Sequence, residues 1–292
     1  MSFFMEVTIN GLLVGIMYSL VALGFALIYK SSDVFNMAQG DMSLFAGLAL
    51  VGFITVMPLW LAFICTVLVM TILAYGTVFV ILRPLVARPP LMLFMATFGL
   101  AFLVQGIGQA IWGTDPKGLD VGIPDTALEV AGVFLSSFDL SFGLVGAVLV
   151  IGLVWFFQWT RTGRALRAVS DDHRAALSVG IPLLRAWAVT WVIAGVVATV
   201  AGVAWGSRLG VQFSLSYIAL KALPVLIIGG IDSIPGAILA GLVVGAGENL
   251  AEVYIGPHVG GGIQTFFPYL IALLVLWFKP YGMFGKEIIE RV

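Results

Sequence analysis

The chain is 292 residues long, and its composition excludes an ordinary soluble globular protein. Hydrophobic residues make up 61% of it and charged residues 10%, whereas a soluble domain carries about 25% charged residues. The formal net charge is −1 with no basic run, so nucleic-acid binding has no support. Lipid can cover the apolar surface that a soluble fold of this size could not bury, so the composition predicts an integral membrane protein.

The first predicted element is the charge-free stretch of residues 7–29. At about 1.5 Å per residue, its 23 residues reach roughly 35 Å, enough to cross a hydrocarbon core of about 30 Å. No positive residue precedes it, since the first charge is Glu6, and a signal-peptide h-region has only about 7–15 residues. We therefore predict a transmembrane helix here and not a cleavable signal peptide.

Further apolar stretches follow along the chain. Residues 42–82 are long enough for two crossings, with a break near Met57-Pro58. Three more stretches each fit one helix: residues 89–114, 140–160 and 186–207. The sequence up to this point therefore predicts single helices joined by short polar segments.

The last third of the chain is less regular, because Lys221, Pro224 and Pro235 interrupt its apolar sequence. Such interruptions predict broken or re-entrant segments. The predicted fold class is therefore all-α: a polytopic transmembrane helical bundle of about eight or nine crossings, with residues 1–292 forming a single transmembrane domain.

Loop charges predict the orientation. Residues 161–185 carry five arginines, whereas residues 114–139 carry five acidic residues and Lys117. By the positive-inside rule, residues 161–185 form a cytoplasmic loop and residues 114–139 form an external loop. The N-terminus is then outside and the basic C-terminal tail inside, which requires an odd number of full crossings unless a segment is re-entrant.

Four charged residues flank or interrupt the later spans. Glu248 and Glu252 share a helical face at i, i+4, and Arg208 and Lys221 lie near span ends. A charge at the membrane centre costs about 2.5–3.5 kcal/mol on insertion scales, so we expect these side chains at the membrane interface.

Two pairs of glycines have the spacing of close helix contacts, Gly11-x-x-x-Gly15 and Gly241-x-x-x-Gly245. We expect them to pack helices within this subunit, with packing onto a partner subunit as the alternative.

The sequence contains no motif that indicates catalysis or metal binding. It lacks the ATP-binding pattern G-x-x-x-x-G-K-[ST] and the patterns H-E-x-x-H, G-x-S-x-G and C-x-x-C. We therefore predict no catalytic residue and no metal ligand, and a membrane-embedded enzyme has almost no support.

The cytoplasmic loop 161–185 contains a predicted short helix outside the membrane. Ser170, followed by two aspartates, is a suitable N-cap, and Gly180 is a suitable stop. Ala175 and Ala176 are expected on the surface of this helix, where they would offer a small-residue knob to a partner. The alternative is an ordinary connecting loop whose arginines reflect only topology.

Several segments in order along the chain resemble the permease subunits of high-affinity branched-chain amino-acid transporters of the ABC type, and the first of the two permeases more than the second. They are residues 20–29, 35–41, 162–181, 221–222, 229–237 and 279–285. The chain departs from the family pattern at Gln39, where histidine is common, at Asp41, where glutamate is common, and at Arg174, where the EAA-type coupling loop has glutamate.

The resemblance implies a permease that imports a small polar solute by alternating access, in a bacterial or archaeal cytoplasmic (inner) membrane. It implies four further subunits: a second homologous permease, two cytoplasmic ATPases that bind ATP and Mg, and an extracytoplasmic solute-binding protein. This chain would itself hold no cofactor. The residues implied to couple it to the ATPases are Asp171, Asp172, Arg174, Ala175, Ala176 and Gly180.

The implied solute is a branched-chain or other hydrophobic amino acid, although related permeases also serve urea and short amides. The alternative is a stand-alone channel or secondary transporter for a small neutral solute such as urea or an amide. The scarcity of charges within the spans argues against ion coupling, though not against a channel.

Two groups of residues are candidates for the translocation path. Asn36, Gln39 and Asp41 form a polar island that either lines the path or is an interfacial loop capping the next helix. The other group either forms a discontinuous span beside the path or makes a tight turn between two ordinary spans. Its members are Gly229, Gly230, Pro235 and Gly236.

Overall fold

The computed structural model, which describes residues 2–86, 88–124, 126–130 and 132–285, is a bundle of α-helices with one small β-hairpin. The helices are α1 (Ser2–Ser32), α2 (Gln39–Ile54), α3 (Leu59–Gly76), α4 (Pro90–Trp112), α5 (Ser137–Trp159), α6 (Arg161–Asp171), α7 (His173–Ser178), α8 (Leu183–Leu209), α9 (Ile218–Gly229), α10 (Ile234–Tyr254), α11 (Gly256–Val259) and α12 (Ile263–Phe278). The strands are β1 (Ala127–Val130) and β2 (Val133–Ser136).

Six helical segments in the described ranges are long and apolar enough to cross a membrane. They are Phe3–Ser32, Leu59–Leu85, Pro90–Trp112, Ser137–Trp159, Leu183–Leu209 and Ile234–Tyr254. Shorter apolar helices cover Gln39–Ile54, Phe213–Gly229 and Ile263–Phe278. The all-α polytopic bundle is therefore confirmed, while the number of crossings stays a prediction.

Proline fixes several helix boundaries. The predicted break in the long apolar stretch lies where expected, because α2 ends at Ile54 and Pro58 has an extended backbone before α3 begins. Pro90 and Pro235 lie in the first turns of α4 and α10, where a missing backbone N–H removes no helical hydrogen bond.

The chain forms two compact units. The first takes in the chain up to Ala26, Gly122–Val148 and the chain from Leu220 onwards. The second takes in Leu27–Val121 and Leu149–Ala219.

The second unit is organised around α2, which packs against α3, α4 and α8 and is buried along most of its length. Gly202 of α8 lies so close to the Ser43 backbone that a side chain there would overlap it. The 16 residues of α2 reach only about 24 Å, less than the thickness of the hydrocarbon core, so its neighbours and not lipid form most of its environment.

The first unit is held together where α1 crosses α10. A Cβ atom added at Gly11 would lie 2.7 Å from the Ala246 backbone, and one added at Gly15 would overlap the Gly241 backbone. Ser19 on the same face of α1 donates its hydroxyl to the Gly15 carbonyl at 2.8 Å. The two glycine pairs therefore pack against each other, which confirms the prediction of packing within the subunit.

The predicted external loop contains a hairpin that the sequence did not indicate. Strands β1 and β2 pair antiparallel, with Ala127 opposite Ser136 and Val130 opposite Val133. Among the residues assigned to this loop, Asp125 lies outside the described residues, as do Lys286 and Arg291 of the tail.

Candidate functional site

The predicted cytoplasmic loop 161–185 folds as two short helices before α8 begins. The Thr160 hydroxyl caps α6 by accepting a hydrogen bond from the Gly163 N–H at 2.9 Å. At Asp172 the backbone becomes extended, and its carboxylate accepts a hydrogen bond from the Ala175 N–H at 3.0 Å. The first turn of α7 is thus capped by Asp172.

The predicted N-cap at Ser170 is therefore wrong. Ser170 lies inside α6, because the Thr160 cap starts a helix that continues through to Asp171. The predicted stop is confirmed, since Gly180 has φ +83° and the Ile181 N–H donates to the Ala176 carbonyl at 3.0 Å.

The two alanines of α7 face different environments. Ala175 is exposed, whereas Ala176 is only 3% exposed because α7 packs against α6 and α8. The expected two-alanine surface knob is thus wrong for Ala176. The outward face instead presents Leu177 and Val179, which are 53% and 74% exposed.

The remaining predicted coupling residues lie on the same element. Asp171 ends α6 and Asp172 separates it from α7, and both side chains are exposed. Arg174 belongs to the α7 backbone, and its side chain lies outside the described part of the structure.

The polar island lies at the start of α2, and two of its three side chains are buried. Asn36 and Gln39 are both fully enclosed, and the Asn36 side-chain amide donates to Gln39 Oε1 at 3.2 Å. The Thr97 hydroxyl of α4 accepts from the Met37 N–H at 3.2 Å and donates to the carbonyl before Asn36 at 3.0 Å. Asp41 is half-buried in the first turn of α2, where the helix dipole favours a carboxylate.

The glycine-rich turn between α9 and α10 meets the C-terminal segment. Gly230 has φ +100°, and the Ser233 hydroxyl caps α10 by accepting from the Gly236 N–H at 3.1 Å. The carbonyl of Gly229 accepts a hydrogen bond from the Phe284 N–H at 3.1 Å. Backbone carbonyls at the end of α9, which have no helical partner because the helix stops there, are therefore hydrogen-bonded to residues 279–285. The glycine-rich turn and the C-terminal segment, which are distant in sequence, thus pack together. Pro235 completes the turn at the start of α10.

An ion pair that the sequence did not indicate lies within the first unit. Lys221 Nζ is 2.9 Å from Glu248 Oε1, and the Tyr18 hydroxyl lies 3.3 Å from each of those atoms. We call Tyr18, Lys221 and Glu248 the charged triad. Tyr18 lies on α1, Lys221 on α9 and Glu248 on α10. No local sequence spacing could therefore reveal the contact.

The expected interfacial placement of Lys221 and Glu248 did not include a contact between them. Glu248 is 4% exposed, and its partner Tyr18 is the twelfth of the 23 residues in the apolar stretch 7–29. The expectation treated each charge as isolated, whereas the two charges here neutralise each other and share hydrogen bonds.

Glu252, four residues further along α10, has a separate role. Its carboxylate accepts hydrogen bonds from the Gly262 N–H at 2.9 Å and the Gln264 N–H at 3.0 Å. It therefore caps the start of α12, as a carboxylate at a helix N-terminus can.

A groove of 460 Å³ in the second unit lies among α3, α5 and α8. Its walls are aliphatic and aromatic, including Leu149, Val192 and Val196. Because its surface presents no polar group, it does not suit a polar solute.

The six long apolar helical segments of the described ranges define a multi-pass membrane protein, and the charged triad joins two of them, α1 and α10, to the shorter helix α9. Residues 7–277 match the family described as branched-chain amino acid transport system / permease component, and the chain belongs to that family. It is a permease subunit of an ATP-binding-cassette importer, embedded in the cytoplasmic membrane. The alternative of a stand-alone channel or secondary transporter is not favoured.

Curated relatives of similar length agree with this assignment. The chain is 28% identical to the high-affinity branched-chain amino acid transport system permease protein BraD of Pseudomonas aeruginosa, over 99% of this chain and 98% of that protein. It is 27% identical to the permease protein LivH of Escherichia coli K12, with the same coverage. It also shows a distant structural similarity to PsaBC from Streptococcus pneumoniae, solved in complex with Fab, with 14% identity, 90% coverage of each chain and a TM-score of 0.45.

Proposed function

We propose that this permease moves a branched-chain or other hydrophobic amino acid inward, as part of an assembly with a second homologous permease, two cytoplasmic ATPases and an extracytoplasmic solute-binding protein. ATP and Mg would bind to the ATPases, and this chain would hold no cofactor. The support for the solute is the similarity to BraD and LivH along nearly the whole chain. Lipid surrounds the outer face of the bundle.

The observation that carries the coupling proposal is the structure of α7. It is capped by Asp172, stopped by Gly180 and packed on α6 and α8, and it exposes Leu177 and Val179. A short rigid helix with an apolar outer face suits insertion into a groove of a partner ATPase. Because α7 also packs on α8, closure of the ATPases would pull on a long span.

A substitution on the exposed face of α7 tests this role. Leu177→Asp should place a charge in the ATPase contact and reduce solute-coupled ATP hydrolysis and uptake by about tenfold or more, because a buried unpaired charge is costly. Thr162→Glu is a matched control, since it adds a carboxylate to the first turn of α6, where the helix dipole favours it. If Leu177→Asp and Thr162→Glu co-purified with the same amount of ATPase subunits and supported the same uptake, the docking of α7 on the ATPases would be contradicted.

For the translocation path, we propose that the Asn36–Gln39 amide pair and Asp41 lie beside the route of the solute, together with the turn formed by residues 229–236. Support comes from Gln39 Nε2, which is buried without a hydrogen-bond partner among the described residues. A buried donor of this kind is costly unless a ligand or water meets it.

Reconstitution tests the function as a whole. The chain, its second permease and its ATPases are placed in proteoliposomes with the binding protein outside, and uptake of radiolabelled L-leucine is measured. Uptake is expected only with ATP inside and all components present. Leucine or urea flux through the chain alone, without ATPases, would show that the importer assignment is wrong and that a channel is the better description.

A further inference from the structure

The charged triad has one accessible member and two enclosed ones. The Lys221 side chain is 30% exposed, whereas Glu248 and Tyr18 are buried. Hydrocarbon excludes a charged ammonium, so within the apolar span the open side of Lys221 does not face lipid. It faces an aqueous path or another subunit.

We propose that the charged triad is a recognition site for the zwitterionic head group of an α-amino acid on the translocation path. Lys221 would receive the solute's carboxylate, and Glu248 with Tyr18 would receive its ammonium group. This inference rests on the proposed function, because it takes the solute to be an amino acid.

The charges of the charged triad fit this exchange. Without solute, Lys221 Nζ is 2.9 Å from Glu248 Oε1 and donates to the Tyr18 hydroxyl, which itself donates to Glu248. An arriving zwitterion replaces one ion pair with two, and the net charge of the site stays at zero. A solute with only a positive or only a negative charge would leave an unbalanced charge in the span, so both are disfavoured.

The existing ion pair also keeps the affinity low. The solute must displace the contact between Lys221 and Glu248 before it can bind, and part of its binding energy is lost in doing so. A site on a transport path has to release its solute, so weak binding is suitable there.

The elements that carry the charged triad differ in how firmly they are held. Tyr18 and Glu248 lie on α1 and α10, whose backbones are in contact at the glycine pairs. Lys221 lies on α9, a helix of 12 residues that contains Pro224. The acceptors are thus fixed by packing, while the ammonium group is on a shorter, interrupted helix.

The first test measures binding to the purified complex of the two permeases and the ATPases, without the binding protein. Equilibrium dialysis with millimolar radiolabelled L-leucine should show weak saturable binding. Leucinamide, which lacks the carboxylate, and 4-methyl-2-oxopentanoate, which lacks the ammonium, should compete about tenfold less well than leucine or worse. No leucine binding, or competition by both analogues as strong as competition by unlabelled leucine, would overturn the proposal without the need for a variant.

The second test removes both charges together in K221M/E248Q, so that neither is left alone in the span. The matched control K117M/E129Q removes one cation and one anion from the predicted external loop. We expect the first variant to bind leucine at least about tenfold more weakly and the control to bind like the unmodified complex. Equal leucine affinity in K221M/E248Q and the unmodified complex would exclude the charged triad as the site.

ATP-driven uptake separates this inference from the proposed function. If the unmodified transporter imports leucine and K221M/E248Q imports it at the same rate per assembled complex, the recognition site is wrong and the proposed function stands. If the unmodified transporter imports no leucine, the proposed function itself fails.

Discussion

Asp172 is the single residue between α6 and α7, and its backbone is extended, with φ −157° and ψ 110°. Its carboxylate then accepts the Ala175 N–H, so one residue both ends α6 and starts α7. A six-residue helix is too short to be stable without such help, because helix nucleation is unfavourable. The shape of the proposed ATPase contact therefore depends on this side chain.

Asp172→Ala should weaken α7 by about 1 kcal/mol through loss of the cap. Faster amide hydrogen exchange at residues 175–178 would be the direct signal, together with weaker coupling of ATP hydrolysis to uptake. Asp172→Asn is the matched control, since asparagine caps about as well as aspartate. If alanine and asparagine gave the same exchange rates, the cap would not be what holds α7.

A second prediction at the level of the residue concerns Glu248. Glu248→Ala leaves Lys221 without its carboxylate partner, and removing one member of a buried pair costs about 3–5 kcal/mol. Replacing both residues by methionine should cost much less, because no charge is then left alone. Thermal unfolding of the purified complex compares the two, and a larger loss in the double variant would contradict the pairing.

Single residues also show the limit of prediction from sequence. Gly180 was predicted as a helix stop because glycine tolerates positive φ, and that rule is local. Ser170 was wrongly assigned as an N-cap because the helix that begins after the Thr160 cap continues through Ser170 to Asp171. The Lys221–Glu248 contact joins α9 to α10 through tertiary packing, which no local rule describes.

Among the described helices, α1 packs closely on α10, because glycines on both sides let the two backbones approach each other. A Cβ added at Gly245 would overlap the Gly15 Cα atom, and one at Gly11 would crowd Ala246. Contacts of this kind are the main source of helix association in membranes, since lipid removes most of the hydrophobic driving force.

Gly245→Val should therefore separate α1 from α10 and reduce the yield of folded complex. We expect a loss of about 1–3 kcal/mol in stability, the usual cost of overpacking. Gly106→Val in α4 is the control, because a Cβ there meets nothing within 4 Å. Size-exclusion chromatography after mild detergent extraction measures both. A monodisperse Gly245→Val complex in normal yield would refute the packing role.

Helices were predictable from the sequence where charged residues flank a single apolar stretch. The stretch 140–160 corresponds to α5 and 186–207 to α8, each shifted by a few residues. Helix α6 was not predicted, because its residues were assigned to a cytoplasmic loop and the N-cap at Thr160 was not recognised. The hairpin β1–β2 was also missed, since two four-residue strands lie below the length at which periodicity is informative.

Across the whole molecule, the orientation remains a prediction that labelling can test. Cys65 is replaced by alanine, and single cysteines are introduced as Glu129→Cys in β1 and Thr162→Cys in α6. A membrane-impermeant maleimide should label the first in intact cells and the second only after permeabilisation. Labelling of both from outside would show that the two loops share one side, and the predicted crossing by α5 and the predicted cytoplasmic loop 161–185 would then be wrong.

Because α2 is buried along most of its length, the order in which the helices are synthesised affects how the protein folds. The α2 partner Gly202 is 159 residues after Ser43, so at about 5–20 residues per second α8 leaves the ribosome roughly 10–30 s after α2. During that interval, α2 lacks its packing against α8. Until α8 is made, α2 stays beside the insertion machinery or packs in a non-native way. Misassembly and proteolysis therefore compete with folding during the interval between the synthesis of these two helices.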